Sequence, residues 1–293
     1  PFGLFEFLRM PFGLRNAGNS FQRMMDRILA GLPFVFCYLD DIIIASRDEQ
    51  EHLEHLRLVF GRLRDAGLVI NAEKCVFAAA TVEFLGHKVS AAGAEPLRSH
   101  VQAVLAHPEP TTISELQAFL GTVNFYRRFL PAAARILRPL TDMLVGGHKG
   151  TVPVSLDDRQ RAAFVAAKQA LAAATHLAHP TQGFQLSLTV DASAEHIGGA
   201  LQQRRHAAAP WQPLGFFSRK LDSTQVKYSA FDRELLACFQ AIRHFRYMLE
   251  GRRFTLFTDH KPITGALRRT GEPLTDKQCR QLSYIAEFTS DQR

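Results

Sequence analysis

The chain has 293 residues, 46% of them hydrophobic, and carries 35 lysines and arginines against 28 aspartates and glutamates, a formal net charge of +7. That length suggests two or three domains and that apolar share is ample for globular cores, while no apolar run reaches the roughly 20 residues that cross a bilayer. The four cysteines (Cys37, Cys75, Cys238, Cys279) are scattered, with neither C-x-x-C pairing nor zinc-finger spacing, and read as free thiols of a reducing compartment.

The positive excess favours a polyanionic partner, because each phosphate neutralised by Lys or Arg releases counterions. The N-terminal PFGLFEF has no basic segment ahead of an apolar one, which argues against a secretory signal, and it lacks an initiator methionine, which suggests that the chain begins inside a longer product.

The first elements frame two carboxylates. In FVFCYLDDIIIASRD (34–48), Asp40 and Asp41 sit between the apolar runs Phe34 to Leu39 and Ile42 to Ala45. Neighbouring strand residues face opposite sides of a sheet, so both carboxylates can approach one site only if the chain turns there. The flanks are therefore expected to pair as a hairpin with the aspartates at its tip. A divalent ion bound through carboxylate oxygens would compensate the crowded negative charge; a plain turn with one capping aspartate is the bland alternative.

The next segment, DEQEHLEHLRLVFGRLRDAG (48–67), spaces Leu53, Leu56, Phe60 and Leu63 for a helix. Asp48 with Glu51 suits its start and Gly67 its end. His52 and His55, three apart on it, could share a metal, but no further ligand stands at a diagnostic spacing, so a solvated face is expected. AATVEFLGHKVSAAG reads as a β-hairpin broken at Gly86. A second helix is expected from Thr112, with Glu115 in a capping pattern, to Pro131; Leu116, Phe119, Leu120, Val123 and Leu130 form its apolar stripe. A linker at 145–155 precedes the alanine-rich, helix-favouring stretch SLDDRQRAAFVAAKQALAAATHL.

The final third changes character. FQLSLTVDAS (184–193), IGGALQQ (197–203), PLGFFSRKL (213–221) and RFTLFTDH (253–260) read as strands. The helix YSAFDRELLACFQAIRHFRYMLEG, between the third and fourth, repeats apolar residues at alternating four and three, which indicates an α/β unit. Asp191 and Asp259 each end an apolar strand, and Glu234 lies on the helix. Strand ends and a helix packed on one sheet can bring such distant carboxylates together; an ion pair of Glu234 with Arg233 or Arg243 is the alternative.

Several motifs in fixed order carry a resemblance. YLDD followed by IIIAS resembles the Y-x-D-D motif of reverse transcriptases. MPFGLRNAGNSFQRMMDRIL (10–29) is similar to the nucleotide-pocket segment of gypsy-type long-terminal-repeat retrotransposons. EFLGHKVS is similar to their primer-gripping hairpin, and LQAFLGTVNFYRRFLP to their thumb helix. D-A-S, then R-E-L-L-A, then T-D-H-K resembles the RNase H domain that follows the polymerase in these elements.

The resemblance implies an α/β (α+β) chain in three parts: a partial reverse-transcriptase palm over 1–90, a thumb and connection over 91–183, and an RNase H-like mixed-sheet domain over 184–293 that stops before its last expected carboxylate. It implies an RNA-directed DNA polymerase with ribonuclease H activity, working by two-metal phosphoryl transfer on RNA:DNA hybrids with Mg2+, or Mn2+ in its place. Asp40 and Asp41 would be polymerase metal ligands, and Asp191, Glu234 and Asp259 the nuclease ligands. Phe12 and Gly13 would line the nucleotide pocket, Leu85 and Gly86 would position the primer, and Asn124, Arg127 and Arg128 beside Tyr126 would touch nucleic acid.

The implied partners are an RNA template, a DNA primer, their hybrid, deoxynucleoside triphosphates and other parts of a Pol polyprotein, in an intracellular, cytoplasmic virus-like particle and away from membranes. A further palm aspartate belongs ahead of the first residue of this chain, so the polymerase site is expected to be incomplete in this chain alone. Gly18 and His107 depart from the family, where proline and tryptophan are usual. A non-catalytic, nucleic-acid-binding relic of a retroelement is the competing class.

Overall fold

The computed structural model describes residues 3–8, 10–11, 13–147, 149–259 and 274–289. The chain divides into two compact units, Pro1–Leu85 and Gly86–Arg293.

In the first unit, helix α1 (Ala17–Ile28) and helix α2 (Glu49–Asp65) cover a hairpin of β1 (Val35–Tyr38) and β2 (Asp41–Ile44). Met25, Leu29, Val59 and Leu63 are its buried centre, with Phe34, Ile42 and Ile44 packed against them. Asp48 opens α2 as the sequence suggests: its side chain accepts the Glu51 N–H at 2.9 Å, satisfying one of the donors a helix start leaves unpaired. Gly67 follows the helix with φ +70°, the left-handed conformation that glycine adopts without a Cβ clash. Strand β3 (Thr81–Phe84) ends the unit.

The second unit holds two cores. One is helical, built from α3 (Arg98–Ala106), α4 (Ile113–Phe125), α5 (Ala133–Thr141) and α6 (Asp158–Ala172), beside a hairpin of β4 (His87–Ser90) and β5 (Gly93–Pro96). Thr112 caps α4 by accepting the Glu115 N–H at 3.2 Å. The helix stops at Phe125, six residues short of the expected Pro131, and Arg127–Phe129 tighten into a 3-10 turn. Leu116, Phe119, Leu120, Val123 and Leu130 are all buried, so the apolar stripe persists although the helix does not.

The other core is a four-stranded sheet in the order β8-β7-β6-β9, made of β6 (Gln185–Ala192), β7 (His196–Arg204), β8 (Gln212–Lys220) and β9 (Phe254–Phe257). The β6–β7 and β7–β8 pairs are antiparallel, while β6–β9 is parallel. A parallel neighbour needs a crossover, and α7 (Ala230–His244) with the short α8 (Arg246–Leu249) lies in that connection. Helix α9 (Asp276–Phe288) packs on α7. The expected single helix over 228–251 is thus broken at Phe245, yet Leu235, Cys238, Ile242, Phe245 and Leu249 remain buried together.

Candidate active site

Three elements bring the nuclease carboxylates together, and the register shows how. Strands β6 and β9 are parallel with Thr189 beside Phe257; two residues further along each chain stand Asp191 and Asp259. Parallel pairing keeps equal steps aligned, so both aspartates arrive at the same end of the sheet. Glu234 comes from the second turn of α7, whose start is capped by the Ser229 hydroxyl accepting the Asp232 N–H at 3.1 Å.

Helix α7 can lie close to the sheet because β7 carries glycine beneath it. A Cβ on Gly199 would sit 3.1 Å from the Ala241 Cβ. Ala241 is seven residues after Glu234 and so on the same helix face. The glycine and alanine together draw the helix down and bring Glu234 to the strand ends.

Carboxylate oxygens of Asp191, Glu234 and Asp259 all lie within 4.8 Å of one another. Both aspartates are exposed, whereas Glu234 is 5% exposed. Its Oε1 accepts the Ala192 N–H at 3.0 Å. Its Oε2 is buried and accepts no hydrogen bond of ordinary geometry.

Burial pushes the Glu234 carboxyl up to about 7; the Ala192 N–H opposes the rise, the negative charges of Asp259 and Asp191 add to it, and the nearby Thr258 hydroxyl moderates it. Such a cluster of hard oxygen donors around a buried carboxylate suits a divalent cation and fits poorly with a plain ion-paired glutamate. Neither Arg233 nor Arg243 pairs with Glu234: Arg233 donates to the Tyr228 carbonyl at 2.7 Å, and Arg243 lies over the Phe239 ring. Sequence reading missed the Ala192 N–H and Thr258. Both lie inside the quoted motifs, Ala192 in D-A-S and Thr258 in T-D-H-K, but a motif does not disclose a backbone donor or single out the residue beside the carboxylate.

The Asp40–Asp41 pair occupies the tip of the β1–β2 hairpin. Tyr38 pairs with Asp41, leaving Leu39 and Asp40 as a two-residue turn, and both aspartates are exposed. Leu39 has φ +54°, a left-handed conformation that costs a non-glycine residue about 1–2 kcal/mol. Gln22 of α1 holds this turn. Its Oε1 accepts the Leu39 N–H at 2.6 Å, and its Nε2 donates to the Cys37 carbonyl at 3.0 Å and to Asp26 Oδ1 at 2.8 Å.

Burial raises the Cys37 thiol pKa, and Asp26, Asp40 and Asp41 add to the effect, so three acids crowd this tip. Gln22 and Asp26 had no signal beyond lying in the segment over 10–29. Among the described residues, Asp191, Glu234 and Asp259 are the trio of His, Cys, Asp or Glu side chains whose ligand atoms gather closely; no such trio forms at the hairpin.

The remaining expected residues are spread out. Phe12 lies outside the described residues. Gly13 is exposed with φ +86° and open space where a side chain would stand. Leu85 and Gly86 form a turn with φ +46° and +75°, and a Cβ on Gly86 would approach the Phe125 ring to 3.0 Å. Tyr126 is fully buried; its hydroxyl donates to the Gly86 carbonyl at 2.7 Å and accepts from His100 Nδ1, also at 2.7 Å.

Asn124 is half-buried and Arg128 exposed, its guanidinium 5.5 Å from the Phe129 ring centre. Arg127 instead donates to the Ser218 carbonyl on β8 at 2.6 Å, and burial of its guanidinium lowers its pKa, so its charged end braces the two cores of the unit. His52 and His55 both bond through Nδ1 to the Ser46 hydroxyl, at 3.0 and 2.8 Å, and His55 stacks on Phe34. The pair caps a hydroxyl rather than forming a simple solvated face.

Residues 2–89 match the family model described as reverse transcriptase (RNA-dependent DNA polymerase), and residues 156–256 that of an RNase H-like domain found in reverse transcriptase. The Transposon Tf2-3 polyprotein of Schizosaccharomyces pombe is 34% identical over 292 residues, and the Tf2-7 polyprotein of the same yeast 33% identical. Each alignment takes in 98% of this chain and 22% of the relative, so the chain spans about a fifth of the polyproteins it matches.

Among solved structures, the foamy viral protease-reverse transcriptase in complex with RNA/DNA hybrid superposes with a TM-score of 0.79 at 22% identity, over 97% of this chain and 39% of that one. The same viral protein in complex with dsDNA gives 0.79 at 21% identity, over 97% and 60% of the two chains. These likenesses establish the fold. Among the described residues no helix is long and apolar enough to cross a membrane.

Proposed function

Because the chain belongs to the reverse transcriptase and RNase H region of long-terminal-repeat retrotransposon polyproteins, we propose that it serves RNA-directed DNA synthesis and cleaves the RNA of RNA:DNA hybrids inside the cell. The observation that carries the nuclease half is the meeting of Asp191, Glu234 and Asp259 from β6, α7 and the end of β9 within 4.8 Å.

Divalent ions, generally Mg2+ in these families and Mn2+ in its place, would be held by those three side chains and would supply Lewis-acid activation of water and neutralisation of charge at a phosphodiester. The chain's own residues prepare that site. The Ala192 N–H fixes Glu234 Oε1, and Oε2 is buried. The apolar neighbours Leu235 and Cys238 keep water from solvating the carboxylate from behind.

In the polymerase half, Asp40 would be the metal ligand and Asp41 a second, weaker carboxylate, with Gln22 fixing the strained turn between the strands. Phe12 and Gly13 would border the deoxynucleoside triphosphate, and Leu85 and Gly86 the primer end. Asn124 and Arg128 would lie against the duplex of template and primer, while the bracing of Arg127 suits it to a supporting role. We read 1–90 as palm, 91–183 as thumb and connection, and 184–293 as RNase H-like, acting with other parts of the polyprotein; the separate helical and sheet cores support the division at 183.

The deciding experiment is hydrolysis of a labelled RNA:DNA hybrid with Mg2+ or Mn2+. Cleavage by the wild-type chain and its loss in Asp191→Asn support the nuclease. Equal, background-level signal from both would leave the relic reading standing.

A further inference from the structure

Away from the carboxylates, the β6–β7 turn forms one wall of a cavity of about 340 Å³ whose other walls are α5 and the start of α6. Its lining includes Arg135, Arg138, Arg159, Ser193, Glu195 and His196. Three arginines from two helices thus face a turn that begins two residues after Asp191.

The charges do not cancel. Asp142 is paired with Lys220 and Arg138, and Arg138 also pairs with Glu195. Two carboxylates are therefore met by Arg138 and Lys220, and Arg135 and Arg159 remain with no carboxylate partner among the described residues. Like charges converging on a concave surface repel unless an anion joins them.

Two observations at His196 agree. Its Nε2 is buried and bonded to nothing, a donor left over in the Nε2–H tautomer. Its pKa is lowered by burial, then by the positive charges of Arg138, Lys220 and Arg135, with Asp142 opposing, which reports a net positive field at the turn. A planar guanidinium offers a fork of N–H donors matched to phosphate oxygens. The cavity lies in the size range of ligand sites.

We propose that this cavity holds one backbone phosphate of a nucleic-acid strand, gripped by Arg135 and Arg159 beside Arg138 and His196, and so sets which linkage reaches the carboxylate cluster. The proposal rests on the hybrid-cleavage reading above. Because Arg135 and Arg159 come from α5 and α6, the helical core would act in substrate placement as well as in support.

The test measures hybrid binding by the full chain without divalent ions, so that no cleavage is required. A series of hybrids, each with a single neutral methylphosphonate linkage, locates the phosphate. Wild type should lose affinity at one position, and Arg135→Ala/Arg159→Ala should lose that position dependence together with about one unit of the slope of log K against log salt. Arg135→Lys/Arg159→Lys, which keeps the charge, should retain the slope, and its thermal transition controls for folding.

Binding by the alanine variant with wild-type slope and position dependence would overturn this proposal alone. Absence of hybrid binding by wild type would remove the functional reading with it. A flat methylphosphonate scan, with inorganic phosphate raising the melting temperature of wild type only, would mark a free-phosphate site and refute the nucleic-acid assignment.

Discussion

Glu234 should make the ion-free protein less stable as pH rises. Its carboxyl is moved from the ordinary 4.5 to about 7 in the fold, chiefly by burial. The folded state therefore keeps a proton that the unfolded chain releases above about 4.5, and stability falls as pH climbs from there through 7 and then levels off. At about 1.36 kcal/mol per unit, the full change is roughly 3 kcal/mol, an upper bound because the two aspartates beside it are open to water.

Glu234→Gln keeps the shape and the acceptor for the Ala192 N–H but cannot ionise. It should match wild type near pH 4.5 and exceed it by roughly 2–3 kcal/mol at pH 8. Trp211, the only tryptophan, stands beside β8 and reports the sheet core in urea unfolding with EDTA present. Magnesium should recover part of the loss in wild type and little in the variant. Parallel pH profiles for the two proteins would refute the claim that Glu234 is a desolvated carboxylate held for a cation.

Other perturbations test the scaffold. A Cβ at Gly93 would lie 2.0 Å from the Leu177 carbonyl oxygen, where the backbone has φ +147°, so Gly93→Ala should cost more than about 4 kcal/mol, read as lost soluble yield or a collapsed melting temperature. Thr112→Ala removes the cap of α4 and should cost about 1 kcal/mol in urea unfolding. Arg127→Ala leaves the Ser218 carbonyl without its guanidinium and should lose about 1–2 kcal/mol of stability, whereas Arg128→Ala should leave stability unchanged and weaken hybrid binding in a salt-dependent way.

Much of this protein was legible in its residue order, because the signals involved act over a few residues. Asp48 and Thr112 accept the N–H groups three residues on, and the apolar stretch FQLSLTVDAS forms the expected strand, with Leu186, Leu188 and Val190 buried. The apolar flanks of Asp40 and Asp41 specify a hairpin with a turn at its tip. The order of motifs marks Asp191, Glu234 and Asp259.

Helices α1, α3, α5 and α9 were not read, nor was the break at Phe245. Packing decides α5, which contains Pro139. Helix α9 does open on a local signal, the capping box of Thr275 and Gln278, whereas α3 has no side-chain cap, and there burial against a partner outweighs weak local preference. Arg127 shows the same limit: residue order gives no sign that its guanidinium donates to the Ser218 carbonyl, 91 positions away. Likewise, the residue order names three carboxylates, but the parallel register of β6 and β9 and the close approach of α7 over Gly199 bring them together and leave Glu234 Oε2 buried. Local rules chose the parts; contacts between residues far apart in the chain set the distances on which the chemistry depends.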